Sequence, residues 1–236
     1  LLMGGIYFVP MINVDGVRLC QEGVAFLADK QIKKNLLKIN GSTDFSLWKA
    51  NINGVDLNVN FDARWGQGKS NVFFKSPANY VGKMPNSEIE TKSLVHFTRE
   101  IKPLATISYH CKGEVIFWRF FQKTKQQLWR HYRLAKSISE ATGYTLVASE
   151  AGSCGGYKDW CIQTMGIPSF TIEVGNDKYE HPFPYADFSN IFNKNADIPR
   201  RLLNTVSRDK NLVKQYEYDT AKVYEGGDTV SQTSEK

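Results

Sequence analysis

The sequence predicts an α/β domain with a largely parallel or mixed sheet. Short apolar, β-branched runs of strand length alternate with longer amphipathic runs of helical period. Two of the strand-like runs end on residues that carry chemistry, His110 in "TISYH" and Glu173 in "SFTIEVG". The 236 residues, 42% hydrophobic and 13% aromatic, suit one domain with a substantial core.

Taken in order, Ile6–Met11 predicts a buried strand stopped by the turn residues Asn13-Val14-Asp15-Gly16. A strand so near the first residue has little ahead of it to pair with, so the natural domain is expected to begin upstream. Leu19–Lys38 reads as helical in parts. Asn40–Phe74, rich in Asn, Gly and aromatic residues, has no sustained period; so long a loop in a compact domain is usually functional. Ser87–Ile101 predicts a helix, with Ser87 as cap and Glu90 completing a capping box. Thr106–His110 and Val115–Arg119 are expected strands, separated by the turn-like Cys111-Lys112-Gly113. Gln127–Thr142 predicts an amphipathic helix ended by Gly143. Leu146–Ser149 predicts a short strand, Tyr157–Met165 a helix and Ser169–Val174 a strand. Phe188–Val206 predicts a last helix, interrupted near Pro199. The chain from about 208 to 236 is polar and predicts a tail without a core of its own, so the domain is drawn at 1–207.

The charge is +6, from 30 Lys and Arg against 24 Asp and Glu. The basic residues are scattered and form no nucleic-acid module, which leaves tolerance of anionic substrates as their expected consequence. No apolar run reaches the length of a membrane span, and no basic segment precedes the first apolar run as a signal peptide requires. Cys20, Cys111, Cys154 and Cys161 form no CxxC pair. Such sparse, unpatterned use favours a reducing compartment.

Charged groups are rarely buried without a partner. In an open α/β sheet, ligands bind at the carboxyl ends of the strands, where His110 and Glu173 are expected. A histidine that ligates a metal and a glutamate that handles the proton of a water fit that placement. A buried His–Glu hydrogen bond fits it equally well, and spacing alone does not choose between them.

Five motifs extend the reading. "YFVPMINVDGV", "LWKANINGVDLNVNFDARWG", "PNSEIETKSLVHF", "ISYHCKGEVIFW" and "GGYKDWCIQTMGIPSFTIEVG" resemble, in order, motifs of the zinc carboxypeptidase family of metallopeptidases, over most of residues 6–205. Within it they are most similar to the bacterial group that includes γ-D-glutamyl-meso-diaminopimelate peptidases. The resemblance implies a three-layer α/β/α sandwich with a mixed central sheet, lacking its first strands and first long helix. It implies one zinc ion and hydrolysis of an amide in a peptide or muropeptide substrate, with cell-wall peptide expected. His110 matches the third zinc ligand. Glu173 matches the general base, Asn58 an asparagine that holds a substrate carboxylate, and Lys49 an arginine that stabilises the oxyanion. Lys158 matches the base of the pocket that receives the residue after the cleaved bond, where a cation suits diaminopimelate.

Three departures accompany the resemblance. The family's arginine after the loop asparagine is Val59 here, with Arg64 nearby as a candidate substitute. The family's mobile tyrosine corresponds to Ala151. The HxxE pair that supplies the first two zinc ligands is absent, since none of His96, His131 or His181 sits in such a setting. The chain alone is therefore expected to be inactive, and a non-catalytic peptide-binding module is the rival reading. His96 and His131 are expected at the surface or boundary and His181 in a loop at the site rim. Trp48, Trp65 and Trp118 are expected to pack.

Overall fold

The computed structural model describes residues 4–147, 152–181 and 183–208. A four-stranded mixed sheet, ordered β1-β4-β2-β3, forms its centre. The strands are β1 (Thr106–His110), β2 (Val115–Phe117), β3 (Thr145–Val147) and β4 (Ser169–Glu173). β1 and β4 run parallel, as do β2 and β3, while β2 and β4 are antiparallel. Ala148 and Ser149, expected to continue β3, lie outside the described residues.

Alternation along the strands gives the sheet two different faces. Ile116, Phe170 and Ile172 are wholly buried on one face, against Leu134, Ala135 and Ile138 of α4 (Lys125–Thr142) and Ile198, Leu202 and Val206 of α7 (Ile198–Arg208). Burying one such aliphatic or aromatic side chain contributes about 1.5–3 kcal/mol. The other face carries Thr106 and Ser169, whose hydroxyls meet at 2.6 Å. It lies under α5 (Tyr157–Trp160) and the π-helical turn Cys161–Met165 that continues it. Trp160, Ile162 and Met165 pack there with Phe61, Phe120 and Val95 of α3 (Ile89–Ile101). A third cluster joins Leu19 of α1 (Val14–Glu22), Leu36 of α2 (Lys30–Asn40), Phe45, Trp48 and Ala50. The layering is the expected α/β/α arrangement.

Three local expectations are corrected. Ile6–Met11 forms no strand, and Tyr7 and Phe8 are 67% and 72% exposed. An apolar run becomes a strand only where a ladder partner exists, and none pairs with it among the described residues. Residues 14–16 are not a turn but the first turn of α1. Asn13 caps it, its Oδ1 accepting from the Gly16 N–H at 3.0 Å, while its Nδ2 donates to the carbonyls of Lys49 and Ala50. Gly16 is needed there, because a Cβ would sit 2.5 Å from the Ala50 carbonyl. The cap of α3 is Glu88, not Ser87. Its carboxylate is taken by Asn51 and Asn53 at 2.9 and 2.8 Å, and Glu90 also accepts from Asn51, so tertiary bonds replace the capping box. The last helix is interrupted near Pro199 as expected, into α6 (Phe188–Asn195) and α7, with Pro199 in the first turn of α7, where its missing N–H costs nothing.

His131 is also corrected. It lies on α4 with no exposure, its Nδ1 3.2 Å from Gln122 Nε2. Burial, helped by the Arg130 charge, pushes its pKa down to about 3. Its folded-state pKa is thus below the unfolded value, so the unfolded chain binds the extra proton as the pH drops below about 6.5. Stability falls on acidification through that window. In denaturant titrations across it, His131→Gln is expected to lose less stability than the wild type. Equal losses would contradict the buried, neutral assignment.

Candidate functional site

The pairing of β1 with β4 sets the site. His110 and Glu173 are register partners at the carboxyl ends of these parallel strands, so both side chains leave the same sheet face. The bond from Val174 N–H to the His110 carbonyl, 2.7 Å, closes the ladder there. Val115 faces Glu173 from the antiparallel strand, so the carboxyl has an apolar neighbour.

Burial pushes the Glu173 carboxyl up to about 7, against the opposing pull of the Lys49 ammonium. Burial also lowers the pKa of His110; the Asp56 carboxylate works against this and Lys49 with it. The charge of Lys49 therefore acts on both members of the pair, although it enters from a distant loop. Its backbone is pinned there by its N–H to the Pro77 carbonyl, 2.9 Å, and by Asn13.

Two neighbours were not singled out from the sequence. Asp56, buried, accepts from the N–H groups of Asn58 and Asn79 at 3.0 and 2.9 Å, and its charge acts on His110. Its signal was its place two residues before Asn58. Cys111 follows His110 in the chain, and its thiol is pushed up first by burial and then by the Glu173 charge.

Asn58 is exposed in the 3-10 turn Leu57–Val59. Its Oδ1 is 3.2 Å from where a Cβ on Gly156 would be, so it borders the start of α5. The Phe61 N–H donates to the Gly155 carbonyl at 2.8 Å and holds the two segments together. Lys158 lies close by, and its ammonium is held by partners of the chain itself. Its Nζ donates to Asp159 Oδ1 at 2.5 Å and to the Arg119 carbonyl at 3.0 Å, and sits 5.2 Å from the Phe120 ring centroid. Asp159 in turn accepts from the Gly156 N–H at 3.1 Å. Burial raises its pKa, while Lys158 opposes that shift.

The remaining expectations divide. His96 is exposed on α3 and His181 is exposed in the loop after β4. Trp48 and Trp118 are buried, and the Trp65 Nε1–H donates to the Val81 carbonyl at 2.8 Å. Ala151 lies outside the described residues. Among the described residues no three of His, Cys, Asp and Glu come together to hold an ion. His110 is a single donor where catalytic zinc sites use three.

The close fit of Gly155 yields a test of the site's frame. Its φ is +88, and a Cβ would lie 2.7 Å from the Val59 carbonyl. Gly155→Ala is expected to lower stability by about 1–3 kcal/mol, read as a lower denaturation midpoint. An unchanged midpoint would show that the Asn58 loop is not docked as described.

Comparison with known proteins gives the context of this geometry. A family model described as zinc carboxypeptidase matches residues 4–197. The gamma-D-glutamyl-L-diamino acid endopeptidase 1 of Lysinibacillus sphaericus is 35% identical over 206 residues, 84% of this chain and 50% of that protein. Murein peptide amidase A of Escherichia coli (strain K12) is 28% identical over 145 residues, 56% of each chain. Bovine thrombin-activatable fibrinolysis inhibitor, solved with tick carboxypeptidase inhibitor, shares the fold with TM-score 0.61 at 23% identity, over 87% of this chain and 68% of that one. The chain spans about half the length of the curated relatives it matches. With the family model running from residue 4 to 197, the chain belongs to the zinc carboxypeptidase family.

Proposed function

We propose that this chain carries the proton-transfer half of a peptidase site that hydrolyses an amide in a cell-wall peptide of the γ-D-glutamyl-diamino acid type. The observation that carries the reading is the in-register His110–Glu173 pair with Lys49 acting on both. Two bacterial relatives bear names that denote cleavage of such peptides.

Glu173 takes a proton from the attacking water and returns it to the leaving amine. A carboxyl raised to about 7 can do both near neutral pH. Lys49 offers a cation to the oxyanion that forms on the carbonyl carbon, as a point charge without the fork of an arginine. Asn58 orients a substrate carboxylate beside Gly156. Lys158 would meet a substrate only by exchanging its contact with Asp159 or with the Arg119 carbonyl.

The family is a zinc family, and His110 is the donor this chain contributes. The described residues do not complete a zinc site, so the roles above are those of the chain's own side chains. The same observation favours the rival reading, in which the chain binds peptide without cleaving it.

The test is Glu173→Gln in the protein that turns over a γ-D-glutamyl-diamino acid substrate. The expected result is a fall in kcat of about 10²–10⁴ with KM nearly unchanged. A variant that keeps the wild-type kcat would remove Glu173 from the chemistry.

A further inference from the structure

The strands that carry His110 and Glu173 run on into separate segments, and a lysine joins them. Cys111-Lys112-Gly113 follows β1, and a loop beginning at Gly175 follows β4. Lys112 Nζ donates to the Asp177 carbonyl at 2.8 Å and to the Tyr179 carbonyl, and lies 3.7 Å from Asp177 Oδ1. The backbone adds a bond between the same segments, from the Gly113 N–H to the Gly175 carbonyl at 2.9 Å.

An ammonium suits this task because its three N–H donors leave one nitrogen in different directions and reach separate acceptors. The Lys112 side chain is 21% exposed, whereas that of Asp177 is 82% exposed. An ion pair so open to water contributes little, so the charge-assisted bonds to the two carbonyls are what hold the loop. The loop is folded on itself. Gly175 has φ +78, and a Cβ there would lie 2.4 Å from Phe183 Cζ. The Phe183 ring meets that of Tyr179 edge to face, with centroids 5.2 Å apart. The Lys178 N–H donates to Asn176 Oδ1 at 3.0 Å. Lys112 thus pins a folded unit rather than a slack strand.

The last rung of the β1–β4 ladder, the bond from Val174 N–H to the His110 carbonyl, lies between the His110–Glu173 pair and this clasp. Ladder ends open locally more readily than ladder interiors. Here the end cannot open far without breaking the Lys112 bonds.

We infer that Lys112 is a positioning residue, which keeps the end of the β1–β4 ladder closed and Glu173 in register with His110 by clasping the Asp177 and Tyr179 carbonyls. The inference rests on reading that pair as the proton-transfer site and adds the device that holds it in place. Lys112 acts through the loop and the ladder, not on the reacting atoms.

The experiment compares the 236-residue chain with Lys112→Met, which keeps much of the side chain's length and loses its donors, and with Asp177→Asn. Amide hydrogen exchange is read residue by residue by NMR. Lys112→Met is expected to speed exchange at Val174 and Gly113 by roughly tenfold or more, while the amide of Ile172, buried inside the sheet, keeps its wild-type rate. Asp177→Asn is expected to leave Val174 near its wild-type rate. Unchanged exchange at Val174 in Lys112→Met, or an equal rise at Ile172, would overturn the clasp while leaving the peptidase reading standing. In the protein that turns over a γ-D-glutamyl-diamino acid substrate, Lys112→Met should lower kcat by about tenfold or more with KM nearly unchanged. Faster exchange at Val174 with a wild-type kcat would overturn the positioning role. Absence of turnover in the unsubstituted protein would instead overturn the hydrolytic reading on which that role rests.

Discussion

Everything proposed for this molecule depends on the pairing of β1 with β4. Parallel strands in register point matching residues to the same face, and here the matched pair at the carboxyl end is His110 and Glu173. Slipping the register by one residue would turn one of them toward Phe170 and Ile172 and the core beneath α4 and α7. The pairing is held from both faces. Ile172 is locked in the apolar core, and on the opposite face Thr106 and Ser169 share a short hydroxyl bond. Cys161 packs there too, and burial pushes its thiol up to about 12.

The second requirement is charge. A carboxyl removed from water on a sheet rim resists ionisation. Lys49 partly offsets that, arriving from a loop secured by Pro77 and by Asn13, the α1 cap. The segments around the strand ends are tied to one another in the same manner. Gly155 lets the 152–156 turn approach Val59, Asp159 and Lys158 secure that turn at Gly156, and Asn51 and Asn53 bind Glu88 at the start of α3. Most of these contacts join a backbone group or a short amide side chain to a fixed acceptor. Such contacts give a site its precision on a sheet that has four strands among the described residues.

The strands that carry the site were legible in the sequence because their apolar runs are short, β-branched and bounded by turn residues. The helix ended by Gly143 was legible for the equally local reason that a left-handed cap favours glycine. The features that were not legible all depend on distant partners. Ile6–Met11 has a strand's composition but no partner among the described residues. Ser87 has the makings of a cap, yet it donates to Glu88 Oε1 while asparagines from another loop take the rest of that carboxylate. His131 looked like one polar position on a half-polar helix, but its face turns inward toward Gln122. Lys158 sits at the expected place beside Asn58, but its ammonium is held by the next residue and by a carbonyl 39 positions away. Asp56 stood beside Asn58 in the sequence, but its nearness to His110 is a fact of the tertiary fold.

The central claim is that Glu173 is a desolvated carboxyl held near neutrality and coupled to Lys49. It is tested most directly by following the Glu173 side-chain carbon by NMR as a function of pH, in the wild type and in Lys49→Met. The account predicts a midpoint of about 7 in the wild type. It predicts a higher midpoint in Lys49→Met, since removing the cation removes an influence that lowers it. A wild-type midpoint near the ordinary glutamate value of 4.5, unmoved by the loss of Lys49, would contradict it.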